Sequence, residues 1–86
     1  MAQKIYNVVS NYAHLSSSVV STFSKLANAV DEFNWCCKCI ENDEVLKAEK
    51  NVIHDSNISK FVVYRVSNNT YMTIQLITNY IFDDED

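Results

Sequence analysis

The stretch Ile5–Ile40, IYNVVSNYAHLSSSVVSTFSKLANAVDEFNWCCKCI, decides how the rest of the chain is read. Apolar side chains recur at Ile5, Val8, Tyr12, Leu15, Val19, Phe23, Leu26, Val30, Phe33, Cys37 and Ile40, always three or four residues apart. That spacing draws one stripe along an α-helix. Neither Gly nor Pro interrupts it. The pattern predicts a long N-terminal helix, about 54 Å if unbroken at 1.5 Å per residue. Two places can fold it into a helical hairpin. Ser16-Ser17-Ser18 is poor helix material, because serine competes for backbone hydrogen bonds. Asn28-Ala29-Val30-Asp31 has the spacing of a capping box, with Asp in place of Glu, and can start a new helix at Ala29. The stripe keeps its phase from Leu15 to Val19, which favours continuity.

A stripe this long outruns a compact domain of 86 residues. Small chains bury a modest fraction of their surface, and self-association is the usual remedy. The sequence therefore predicts a homodimer paired like a coiled coil through Ile5, Val8, Tyr12, Leu15, Val19, Phe23, Leu26 and Val30.

Downstream, Glu41-Asn42-Asp43-Glu44 reads as a break. Asn42 or Asp43 can cap a short helix running to Lys50. The same segment can instead be an extra strand ending in the turn Asp55-Ser56-Asn57. Its Leu, Lys, Ala and Glu content favours the helix. Lys60–Val66 and Thr70–Ile77, with continuation towards Phe82, are rich in β-branched and aromatic residues and read as a hairpin. Asn68-Asn69 suits a two-residue type I′ turn, since Asn tolerates positive φ. That turn sets Val66 opposite Tyr71, Val63 opposite Ile74 and Phe61 opposite Leu76. One face then holds Phe61, Val63, Met72, Ile74 and Leu76 and covers the helix. The other holds Val62, Tyr64, Val66, Tyr71, Thr73 and Gln75. The expected fold class is α+β in one domain: helical segment 1–41, short helix and turn 42–57, C-terminal antiparallel β-hairpin 58–82, acidic tail 83–86.

Charge is unevenly spread. Residues 1–30 carry Lys4 and Lys25 and no acid; residues 31–86 carry five bases against eleven acids, a net −6. Clustered Lys and Arg, which a phosphate-backbone binder needs, are missing. The chain has no Gly, no Pro, one Arg and ten Asn, where an average chain of this length holds about ten Gly and Pro together. This bias matches an AT-rich genome and, by compositional analogy alone, small phage or virus accessory proteins. No apolar run reaches membrane-spanning length, and the N-terminus lacks the pattern of a signal peptide, so a cytoplasmic location is expected.

Cys36-Cys37-Lys38-Cys39 invites a zinc reading, but three thiols in four residues, pointing different ways on a helix and without a second cluster, fit a tetrahedral site poorly. His14 and His54 are isolated, and no nucleophile or phosphate-loop pattern occurs. The sequence predicts no enzyme, metal or cofactor. It predicts a protein-binding module, with a viral-type inhibitor of a host protein as the sharpest form. The alternatives are a small dimeric DNA-binding regulator and a structural adaptor. Off-stripe Trp35, outer-face Tyr64 and Tyr71, and the acids Asp83, Asp84, Glu85 and Asp86 are the expected contacts with a basic protein partner.

Overall fold

The computed structural model describes residues 2–13, 15 and 18–82. Strands β1 (Ala2–Tyr12) and β2 (Ser18–Phe23) come first, then helix α1 (Leu26–Glu41). Strands β3 (Glu49–Asp55), β4 (Lys60–Val66) and β5 (Asn69–Phe82) follow. The strands form one antiparallel sheet in the order β2-β1-β5-β4-β3, so the first and last strands pair at its centre. The described residues are mostly β, with one helix on one face of the sheet.

This overturns the long N-terminal helix, the helical hairpin and the coiled-coil pairing. A four-residue step returns to the same face of a strand as well as of a helix, since four residues are two full pleats. Val8–Tyr12 and Val19–Phe23 are such steps, so their spacing fits both structures. Composition decides between them. Tyr6–Tyr12 and Val19–Phe23 hold Val, Tyr, Thr, Phe, Ser and Asn, which favour strands or turns over helix. The helix formers Leu, Ala, Glu and Lys gather at 25–41, and there the helix forms. It starts at Leu26, after an extended Lys25 that offers no side-chain cap, rather than at Ala29.

The predicted short helix at 42–50 is also corrected. Asp43 Oδ1 accepts hydrogen bonds from the backbone of Val45 and Leu46, both at 3.1 Å. The result is a single turn, closed by Lys47 at φ 51°, and the chain then enters β3.

Helix residues Ala29, Phe33, Cys37 and Ile40 pack on Val8, Val62, Tyr64, Met72, Ile74 and Leu76 to form the core. The helix lies over β1, β5 and β2; Leu46 and Ala48 pack against the same core from the following loop. The opposite sheet face is bare. It carries the cross-strand row Val20, Val9, Gln75 and Phe61, together with the polar pair Asn7 and Thr22.

The strand pair β4–β5 is not a separate C-terminal hairpin but an inner part of this sheet, and its register differs from expectation. The turn is Ser67-Asn68, at φ 53° and 67°, with Val66 paired to Asn69. A register shift between Tyr64 and Arg65 leaves Tyr71 bulged, so that Tyr64 faces Met72 and Val62 faces Ile74. A one-residue slip exchanges the two faces of a strand. Val62 and Tyr64 therefore line the core, and Phe61 and Val63 lie outside. Two non-glycine residues at positive φ leave the turn improvable. Ser67→Gly is expected to stabilise the protein by about 0.5–1 kcal/mol, after subtracting the added freedom of the unfolded chain, read as a higher urea midpoint at unchanged slope.

The Tyr64 side chain is 0% exposed. Its hydroxyl donates to Glu41 Oε2 at 2.5 Å, and Lys50 Nζ lies 3.2 Å from the same oxygen. The bond from Tyr64 holds the Glu41 carboxyl below the usual carboxylate range, while burial pushes the Tyr64 phenol well up. A carboxyl with a lowered folded pKa adds stability above its unfolded value, about 4.3, and that contribution is lost as pH falls through the folded value. A phenol with a raised folded pKa keeps its contribution below its unfolded value, about 10, and loses it as pH rises further. Tyr64→Phe should flatten both the acid and the alkaline limbs of a melting-temperature profile against pH.

Candidate protein-binding cleft

On the exposed flank of α1, Glu32, Cys36 and Cys39 follow one another at four- and three-residue steps. Residues so spaced lie side by side on a helix. They form one wall of an open cleft of about 240 Å³, with Trp35 and Ile40 beside them and Ser10, Tyr12, Val19 and Met72 from the sheet. The local fold sets this up. Phe33, Cys37 and Ile40 anchor the helix on the sheet, which turns the Glu32–Cys36–Cys39 side towards the β1–β2 margin.

Inside the cleft the polar groups form a chain. The Ser10 hydroxyl donates to Cys36 Sγ at 3.7 Å, and the Cys36 thiol donates to Glu32 Oε2 at 3.9 Å. Burial, with help from the Glu32 charge, pushes the Cys36 thiol above its ordinary range, against the opposing effect of the Ser10 hydrogen bond. Burial does the same to Cys37. The thiolate is the reactive form of cysteine, so a raised pKa works against reactivity at these two thiols. All three cysteines are free. Among the described residues no cluster of three or more His, Cys, Asp or Glu gathers as a metal site.

The mouth is apolar. Trp35 is 62% exposed and Val19 64% exposed. Trp is a residue type enriched at the energetic centres of protein interfaces.

The residues expected to act together are dispersed. Of the expected dimer stripe, Val8 is in the core and Tyr12, Phe23, Leu26 and Val30 pack partly against it. Ile5 is half-buried on β1, while Leu15 and Val19 are exposed. They lie on two strands, a connection and a helix, so no single helical stripe exists. Tyr64 is fully buried and unavailable to a partner. Tyr71 sits half-buried in the bulge, its ring meeting that of Tyr12 edge to face at 5.7 Å. Asp83, Asp84, Glu85 and Asp86 lie outside the described residues. Trp35 is exposed and off the packed stripe. Reading Cys36, Cys37 and Cys39 as divergent hid the cleft; the three-residue step from Cys36 to Cys39 was its signal, with only Cys37 turned to the sheet.

Lys4 and Lys25 are the two cations of the N-terminal segment. Lys4 Nζ lies 5.9 Å from the Tyr80 ring centre, and Lys25 precedes α1. Among the described residues no helix is long and apolar enough to cross a membrane. Set against family models, curated proteins and solved structures, the chain matches none.

Proposed function

We propose that the chain is a non-enzymatic protein-binding module that acts by covering a surface of another protein, in the cytoplasm, in the manner of a small viral-type accessory protein. The observation that carries this reading is Trp35, 62% exposed at the mouth of a cleft whose other lip is Val19. Aromatic anchors of this kind supply most of the affinity of protein interfaces, while surrounding contacts exclude water. The excess of acid in residues 31–86 favours a partner with a basic surface, through faster association and rejection of acidic competitors. A DNA-binding role finds little support, because Lys4 and Lys25 are too few to follow a phosphate backbone.

The test is affinity capture from a bacterial lysate with the unmutated chain and Trp35→Ala in parallel, each first checked for an unchanged melting temperature. A partner held by the parent and lost by the variant, with binding weakened at least about thirtyfold, is the expected result. Identical captured proteins at equal affinity would refute the assignment.

A further inference from the structure

The sheet has two edges, and they are built differently. Exposed strand edges invite pairing with other chains, and proteins blunt them with charge, bulges or proline. Strand β3 is blunted. Four of its seven residues, Glu49, Lys50, His54 and Asp55, are ionisable, and its register breaks between Val52 and His54. Strand β2 has none of these devices. Ser18-Val-Val-Ser-Thr-Phe23 carries no charge, pairs with β1 without a register break, and among the described residues has β1 as its only neighbour in the sheet.

The strand is also complementary to itself. Antiparallel pairing of two β2 strands about a two-fold axis at Ser21 sets Val19 opposite Phe23 and Val20 opposite Thr22. Both are favourable aliphatic–aromatic or β-branched pairs. The same register places Ser24 of one copy opposite Ser18 of the other, and Lys25 next to it. That end of β2 holds Val19, the lip of the cleft that contains Glu32. The Glu32 carboxylate has no cation within ion-pair distance among the described residues, and residues 1–30 contain no acid to oppose the approach. A second copy thus supplies the cation that the cleft lacks.

We infer that the protein forms a two-fold dimer by antiparallel pairing of β2 with β2, giving a continuous ten-stranded sheet, with Lys25 of each copy directed at the Glu32 cleft of the other. The helices do not collide. Strands about 4.8 Å apart place the two β1 strands about 14 Å apart, wider than one helix of about 10 Å. Trp35 of each copy then flanks a shared groove floored by Val19, Ser21 and Phe23.

Sedimentation of the purified chain from low micromolar to submillimolar concentration tests this without any knowledge of a binding partner. The expected result is a concentration-dependent monomer–dimer equilibrium. Val20→Lys, at an exposed position, should raise the dissociation constant at least about tenfold, and Val52→Lys on β3 should leave it unchanged. If Val20→Lys fails to fold, Val19→Lys takes its place. Glu32→Lys and Lys25→Glu should each weaken the dimer, and the two together should restore it. A monomer at every concentration overturns the inference. So does a dimer that breaks with Val52→Lys but not with the β2 variants, or a double charge swap no tighter than either single one.

Discussion

Tyr64→Ala is expected to cost about 3–5 kcal/mol of stability, the range for truncating a buried aromatic. Phe61→Ala, three residues earlier on the same strand, should cost well under half of that. A domain of this size has only about 4–13 kcal/mol in total, so the first variant approaches unfolding at ambient temperature and the second does not. The contrast comes from the register. Tyr64 points under α1, is fully buried, and loses both its packing on Cys37 and its hydroxyl bond to Glu41. Phe61 pairs with Gln75 on the bare face and is only half-buried. Urea unfolding of the two variants followed by circular dichroism is the measurement. Equal costs, or a larger cost at Phe61, would mean that β4 presents its other face to the helix.

Ala29→Asp should leave the protein unfolded, while Ala27→Glu, two residues away, should stabilise it. Ala29 is 0% exposed against the sheet. A carboxylate there would sit without a partner or water, at a cost of several kcal/mol, and its bulk would also force the helix off the core. Ala27 is exposed in the first helical turn, where no acid occurs and where Lys25 provides no side-chain cap. A negative charge there meets the positive end of the helix dipole and is worth about 0.3–1 kcal/mol. Far-ultraviolet circular dichroism decides the first variant and thermal melting the second. A folded Ala29→Asp protein would refute the packing of α1 described above.

The sequence made some of this legible and concealed the rest for identifiable reasons. Within Leu26–Glu41 the stripe of Phe33, Cys37 and Ile40 is the stripe that packs, because helix formers and three-residue steps coincide there. Upstream, spacing alone was ambiguous. Only the Val-Val-Ser and Val-Val-Ser-Thr compositions argued for strands, and they carry less weight than an unbroken period over 36 residues. The charged strand β3 looked helical because Leu46, Lys47, Ala48, Glu49 and Lys50 favour helix locally, and pairing with β4 overrides that preference. In the β4–β5 turn the strands were readable but the slip of one position, caused by the Tyr71 bulge, was not. At the candidate site Trp35 was legible as an off-stripe aromatic. Its neighbours Val19 and Ser10 arrive from strands that the helical reading did not contain, so the cleft could not be assembled from sequence.

The pairing of β1 with β5 carries a consequence for how the protein comes to be folded. Ala2 meets Phe82 and Tyr12 meets Met72, so the two central strands join residues separated by most of the chain. Loop-closure entropy has to be overcome before those contacts give anything back, which slows folding towards the millisecond-to-second range of sheet-rich domains. On the ribosome β1, β2 and α1 emerge well before β5 exists to receive them. In that interval the apolar side chains of β1 and the uncharged edge of β2 are open to other chains or to chaperones. The nascent protein is thus most prone to misassociate just before its last strand is made, and its yield in cells should depend more on the rate of that final closure than on the stability of the finished sheet.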